Sequence, residues 1–346
     1  MICPPHKVLD RRFCVAPMMD WTTRHCRAFH RVLSKGALLY TEMVTADALI
    51  HGDPHRLIGF DPAEHPVALQ LGGSNPEKLA RAAKIGAAFG YDEINLNVGC
   101  PSDRVQSGRF GACLMREPTL VAECIVAMRE ATKLPITVKN RLGVDDQEPR
   151  DSLFAFTQTV AGAGVNVFIV HARKALLKGL SPKDNREIPP LDYQIVHDLK
   201  CANPNLTIIL NGGLDNLSKI KSEMSSLDGV MLGRAAYHDP ALLGLIDSEI
   251  LGMNTPIVTP EAAFASFRPY VVARLNEGVP LHAMTRHMLG LFTGRAGSRL
   301  FRRTLSDHAR VGAGISVYDA AMDAINDETE RARLYHQRPH LESNVA

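Results

Sequence analysis

The sequence has almost no net charge. Its 39 Lys and Arg face 37 Asp and Glu, which leaves +2 at pH 7. Whole-chain charge therefore selects no partner, and any cationic surface must come from local clustering. No CxxC pair occurs among the seven cysteines, Cys3, Cys14, Cys26, Cys100, Cys113, Cys124 and Cys201. The odd number and the missing pairs argue against a disulfide framework and against a zinc ribbon. No metal site is expected, and reduced thiols point to the cytoplasm. No apolar run approaches the roughly 20 residues of a membrane span, and the N-terminus has no signal-peptide core. No G-x-G-x-x-G follows an apolar run, so the dinucleotide fingerprint is missing as well.

What is present is an ordinary globular balance, 45% hydrophobic and 22% charged over 346 residues, enough for one large domain with a smaller one. Short β-branched runs recur at 13–17, 37–43, 66–72, 93–99, 135–141, 166–172, 206–212 and 229–234. Each is mostly apolar and closed by Gly, Pro or polar residues, as strands buried on both faces require. Helical patterns lie between several of them. The pattern at 75–90 opens with Asn75 and Pro76, the one at 117–132 has Pro118, and the one at 191–202 follows a Pro-Pro breaker. Eight strands alternating with helices predict a (β/α)8 TIM barrel over 1–250. A doubly wound sheet is the alternative, though it does not need eight evenly spaced strands. The segment near 252–260 has linker composition, and apolar residues at helical spacing then predict a small all-α domain over 256–335. Residues 336–346 are expected to be a disordered tail.

In such a barrel the chemistry sits at the C-terminal ends of the strands. Those ends carry Pro17, Met18 and Met19; Glu42; Gln70; Asn95, Asn97 and Cys100; Lys139 and Arg141; His171 and Arg173; Asn211, Gly212 and Gly213; and Gly233 and Arg234. Taken singly, each has an ordinary reading: a buried Cys is a small hydrophobe, and Met fills gaps. Together, at one mouth, they make a site. The glycines after the seventh and eighth strands suit a phosphate, with Arg234 as a bidentate clamp. A phosphate at one edge with Lys, His and Gln across the mouth fits a phosphorylated cofactor better than a small phosphate ester.

At this level of detail the chain resembles the tRNA-dihydrouridine synthases. The resemblance rests on VAPMMDWTTRHCR (15–27), LLYTEMV (38–44), HPVALQLGG (65–73), DEINLNVGCPSDRVQSGRFGACLM (92–115), ITVKNRLG (136–143), VHARKA (170–175), and NGG with DGVMLGRAAY (211–237). SPKDNREIPPLDY (181–193) is most similar to the A-type bacterial branch. The resemblance implies an FMN-containing barrel, NADPH as electron donor, and reduction of uridine in the tRNA D-loop at positions 20 and 20a. Carried over residue by residue, it implies Cys100 as the acid that protonates uracil C5 after hydride reaches C6. A thiol of ordinary pKa about 8.5 is protonated at neutral pH and can serve. Pro17, Met18 and Met19 would line the flavin, Gln70 its pyrimidine edge, and Lys139 its N1 and O2 side. His171 would reach the phosphate or the substrate. Asn211, Gly212, Gly213, Gly233 and Arg234 would hold the phosphate, and Asn97 would meet the uracil.

The residues themselves fit that chemistry. Gly99 and Pro101 put Cys100 on a bend, and the loop 102–115, with Arg104 and Arg109, is a candidate lid. For tRNA the candidate contacts are Arg173, Lys183, Asp184, Arg186 and Glu187 after the sixth strand, and Arg299, Arg302 and Arg303 in the arginine-rich window 281–310. No membrane association and no protein partner are expected. Three other readings share parts of this pattern. They are an FMN barrel acting on free pyrimidines, a phosphate-ester isomerase or lyase, and a catalytically idle RNA chaperone.

Overall fold

A strand that is apolar on both faces must be covered on both, and a closed parallel sheet wrapped by helices does that without leaving an edge. The computed structural model of the chain describes residues 9–102, 105, 108–307, 309 and 312–336. It contains strands β1 (Phe13–Val15), β2 (Leu38–Thr45), β3 (Val67–Gly72), β4 (Glu93–Val98), β5 (Ile136–Asn140), β6 (Val167–His171), β7 (Thr207–Asn211) and β8 (Gly229–Leu232). They pair in sequence order, all parallel, and close into a barrel where Cys14 meets Met231 across β1 and β8. Each observed strand begins at or within a residue of its expected start. The register of β2 on β3 shifts between Tyr40 and Met43, at the end that faces the site.

Alternation along the strands sorts side chains to two sides of the sheet. The inner apolar set is Cys14, Ala16, Leu38, Tyr40, Ala68, Val167, Ile169, Ile209 and Met231, drawn mostly from β1, β2 and β6–β8. On β3–β5 the buried polar residues on this inner side are Gln70, Glu93, Asn95, Asn97 and Thr137, while Asn140, also buried, has the opposite parity. One half of the barrel interior is therefore hydrocarbon and the other half is polar. Between strands, helix Pro76–Ala88 starts as expected, with the Asn75 side chain accepting from Lys78 N at 2.9 Å. Helix Pro118–Ala131 has its proline in the first turn, but the Glu117 side chain makes no cap bond. Helix Tyr193–Ala202 is capped by Asp192.

After residue 259 the chain is helical: Pro260–Asn276, Leu281–Thr285, Ser298–Asp307 and Ile315–His336. Phe267 of the first packs edge-on against Phe29 of helix Arg24–Leu33, with centroids 5.2 Å apart. Burying such a ring contributes about 1.5–3 kcal/mol. The apolar core of these helices is continuous with the layer outside the barrel. Of the expected disordered tail 336–346, His336 instead ends the last helix, and 337–346 lie outside the described residues, as do Arg104 and Arg310. Among the described residues no helix is long and apolar enough to cross a membrane.

Candidate active site

The C-terminal ends of the strands open on one cavity of about 740 Å³, within the usual range for a bound cofactor or ligand. All eleven residues expected to hold the cofactor line it: Pro17, Met18, Met19, Gln70, Lys139, His171, Asn211, Gly212, Gly213, Gly233 and Arg234. Cys100, Asn97 and Arg186 line it too. Met19 is largely exposed, while Gln70 is buried.

Cys100 sits where β4 gives way to the loop, and its backbone is fixed from three sides. Asn97 Oδ1 accepts from Gly99 N at 3.1 Å and from Cys100 N at 2.9 Å. Cys100 O accepts from Ala112 N at 2.9 Å. Arg141 Nε donates to Gly99 O at 3.1 Å, and its Nη1 donates to Asn185 O at 2.9 Å. The thiol is thus presented on a held bend and remains partly exposed to the cavity. The second half of the following loop is not free. Residues Gly111–Arg116 form a 3-10 turn with Leu114 and Met115 buried, and Val105 and Phe110 are buried as well. Gly111 has φ +76°, and a Cβ there would come within 2.6 Å of Cys100 O. Only glycine fits that close approach.

Across the mouth, Lys139 Nζ donates to Asn211 Oδ1 at 2.9 Å, and Asn211 Nδ2 donates to Met231 O at 2.7 Å. Both polar ends of Asn211 are therefore engaged in orienting the lysine. Burial, with Arg141 nearby, pushes the Lys139 ammonium down to about 7, against the opposing pull of Cys100. His171 lies well below its ordinary value for the same reasons, burial first and then Arg141, Lys139, Arg173 and Arg186. It is a neutral imidazole at physiological pH. Gly212 and Gly213 have φ +112° and +69°, and a Cβ on Gly212 would meet the His171 ring at 2.8 Å. A side chain on Gly233 would meet nothing closer than Met18 Sδ at 3.7 Å, so the backbone there is open towards the cavity. An apolar wall, a lysine and an open glycine backbone together fit a flavin with its phosphate.

The remaining expected contacts are more varied. Arg234 Nη1 pairs with Glu187 Oε1 at 2.5 Å, so the expected phosphate clamp and an expected tRNA contact meet each other. Arg173 donates to the carbonyls of Glu187 and Pro189. Asp184 accepts from Ser181 Oγ at 2.7 Å and shapes the turn. Lys183 is exposed. Arg299, Arg302 and Arg303 are exposed on or beside helix Ser298–Asp307, with no carboxylate partner among the described residues.

Comparison with known proteins now bears on this arrangement. The family model described as Dihydrouridine synthase (Dus) matches residues 14–326. The chain belongs to the dihydrouridine synthase family. A curated relative from Xanthomonas campestris pv. campestris is 55% identical over 334 residues, covering 95% of this chain and 98% of that protein. Relatives from Yersinia pestis and Escherichia coli K12 are each 53% identical, covering 91% and 92% of this chain and 92% of each relative. All three are named tRNA-dihydrouridine(20/20a) synthase. Among solved structures, morphinone reductase superposes with a TM-score of 0.49 at 13% identity, covering 73% of this chain and 88% of that one.

Several residues of this synthase-family site were not singled out from sequence. Arg141 stood at a strand end, but its partners, the carbonyls of Gly99, Lys174 and Asn185, come from the segments after β4 and β6. Trp21 and His238 line the cavity, and Trp21 stacks on Tyr237 with centroids 4.3 Å apart. Glu93 and Thr137 lie beneath Gln70 and Asn97, beside Asn95, which the strand end had already marked. A signal for part of this set was present. Polar residues at 93, 95 and 97 of a strand covered outside by apolar helices must face the barrel interior.

Proposed function

We propose that this chain reduces uridine to 5,6-dihydrouridine in the D-loop of tRNA, at positions 20 and 20a, with FMN bound in the cavity and NADPH as electron donor. The observation that carries the reading is the single cavity that joins a held thiol, a lysine of lowered basicity and an open glycine backbone in a dihydrouridine synthase family chain. FMN, when bound, supplies the hydride for uracil C6. Lys139 supplies the cation beside the flavin ring, and the backbone at Gly212, Gly213 and Gly233 receives the phosphate, with Arg234 beside it. Gln70 and the Pro17–Met19 segment hold the ring. His171, neutral, serves as a hydrogen-bonding group rather than a charge.

Cys100 holds the proton destined for C5. Its bend is tied down on the Gly99 and Cys100 amides and on the Gly99 and Cys100 carbonyls, so the thiol need not be ordered at the moment of reaction. Asn97 Oδ1 already accepts two N–H groups, so towards the uracil Asn97 has only an N–H to offer. It would therefore meet a uracil carbonyl. The cations of the mouth, Arg186 and Arg173 among them, and the exposed arginines 299, 302 and 303 supply backbone contacts that offset the cost of extruding the base. On this reading the segment 256–335 is a helical tRNA-binding domain and 1–250 the catalytic barrel, in the cytoplasm.

The test is to map dihydrouridine in tRNA from a strain lacking this gene, complemented with wild type or with Cys100→Ala. Wild type restores the modification at positions 20 and 20a. Cys100→Ala retains FMN and loses about 10²–10⁴-fold in turnover, the usual contribution of a placed acid. Full turnover by Cys100→Ala, or reduction of free uracil but not tRNA, refutes the assignment.

A further inference from the structure

A hydrogen-bonded series runs through the polar half of the barrel interior, from its N-terminal end to the Cys100 bend. Arg11 Nε donates to Glu93 Oε2 at 2.7 Å. Glu93 Oε1 accepts from Tyr40 OH at 2.6 Å and from Thr137 Oγ1 at 2.7 Å. Thr137 Oγ1 accepts from Asn95 Nδ2 at 2.9 Å, and Asn95 Oδ1 accepts from Gln70 Nε2 at 2.8 Å. Gln70 Oε1 accepts from Asn97 Nδ2 at 2.8 Å. Asn97 Oδ1 then accepts from the Gly99 and Cys100 amides at 3.1 and 2.9 Å.

Both ends of this series have a fixed sense. A carboxylate paired with arginine only accepts, and a backbone N–H only donates. Each member between them must then point one way. Thr137 spends its one hydrogen on Glu93 and so accepts from Asn95. Asn95 turns its oxygen to Gln70, Gln70 its oxygen to Asn97, and Asn97 its oxygen to the Cys100 bend. Reversing any amide sets donor against donor inside a buried interior, where an unmade bond is costly. Glu93, Asn95 and Thr137 are each fully buried and do not line the cavity. Glu93 is the first residue of β4 and Cys100 follows its end, roughly 20 Å along the strand.

We propose that Glu93, Thr137 and Asn95 are positioning residues for the reaction: the Arg11-paired carboxylate at the closed end of the barrel fixes the orientation of three amides, and the last of these holds the Cys100 bend. The same series fixes which edge of Gln70 and Asn97 faces the cavity.

This inference rests on the proposed uridine reduction for its kinetic test, and a chemical test stands apart from it. Thr137→Val keeps the shape and removes both bonds of the hydroxyl; Thr137→Ser restores them. For Thr137→Val, kcat on tRNA falls about tenfold with KM for tRNA unchanged, because a displaced acid costs turnover rather than binding. Alkylation of Cys100 by iodoacetamide, followed at that peptide by mass spectrometry, rises about threefold or more as the bend loosens. Thr137→Ser returns both readouts to near the wild-type values. Wild-type values in Thr137→Val for either readout, or equal impairment in Thr137→Ser, overturn the proposal. If Thr137→Val is insoluble, Glu93→Gln is measured and judged in the same way. Should the wild-type protein make no dihydrouridine, the function reading fails while the alkylation series still decides whether the relay holds Cys100.

Discussion

Lys139→Met separates the charge of the cavity from its shape. In the free protein, burial and Arg141 hold the ammonium at about 7, so near neutrality roughly half of the molecules carry the charge. A hydrogen bond from a charged donor contributes about 1.5–3 kcal/mol. Met should therefore weaken flavin binding by roughly 10–150-fold. The pH dependence is more specific. Protonated Lys139 is the binding form, and its fraction falls from about nine tenths at pH 6 to a few per cent at pH 8.5. Wild-type affinity falls through that window while the variant's stays flat. Riboflavin isolates the effect, since it lacks a phosphate with a titration of its own near pH 6. Quenching of flavin fluorescence during titration into apo-protein gives the dissociation constants. Parallel pH profiles for wild type and Lys139→Met would refute the reasoning.

Stability carries the same signature with an independent readout. The folded value of about 7 lies below the unfolded value near 10.5. Between the two, the unfolded chain binds the additional proton, so stability rises with pH across that window. Wild type is thus penalised below pH 7 and recovers towards pH 10. The full shift would amount to roughly 5 kcal/mol, but the side chain reaches cavity water, so about 1–3 kcal/mol survives. Thermal melts of apo-protein should favour Lys139→Met more at pH 6.5 than at pH 9.5. The opposite order would show that the lysine is not held against its charge.

Two further substitutions address the loop and the RNA surface. Gly111→Ala forces a Cβ against Val105 Cγ1 at 2.3 Å and Cys100 O at 2.6 Å at a positive φ. It should cost about 1–3 kcal/mol of stability and lower kcat with FMN content retained, read by melts and single-turnover assays. Arg302→Ala combined with Arg303→Ala should raise KM for tRNA and flatten its salt dependence at unchanged FMN content, because both side chains are exposed and have no carboxylate partner among the described residues. Filter binding across a salt series checks this, and an unchanged slope removes these arginines from the RNA surface.

The barrel was legible because eight buried β-branched runs can satisfy their backbones and both faces in few ways. The cofactor set was legible because strand ends converge, so each residue needed only its strand to be placed. The charged loop after β6 was not. Arg173 donates to loop carbonyls, Asp184 accepts from Ser181, and Glu187 pairs with Arg234, and those partners are chosen by chain folding that no periodicity records. Arg141 was visible as a strand-end cation, yet its work of tying together the segments after β4 and β6 lies in carbonyls that every residue possesses. The 102–115 loop was read as a candidate lid from its arginines and glycines. In the structure Phe110 packs on the bare face of Gly72, where a Cβ would come within 2.8 Å of the ring. Gly72 thus leaves room for the Phe110 ring, a pairing that strand periodicity does not record.

The helices after residue 259 also shape the mouth. Arg286 Nη2 donates to Asp20 O at 3.1 Å, and the His287 ring bridges Thr23 Oγ1 at 3.0 Å and Tyr237 OH at 3.2 Å. Tyr237 in turn stacks on Trp21 at the cavity rim. The loop after β1, which carries Met18 and Met19, is thus fastened from outside the barrel. Burial and the neighbouring Arg286 push His287 down to about 3. The imidazole stays neutral across the working range and its bridge does not change with pH. Lys139, at about 7, is a cavity group that changes charge near neutrality. A pH profile of turnover that bends near neutrality therefore reports the cavity and not the fastening of its rim, and Lys139→Met should remove that bend while substitutions at His287 leave its position in place.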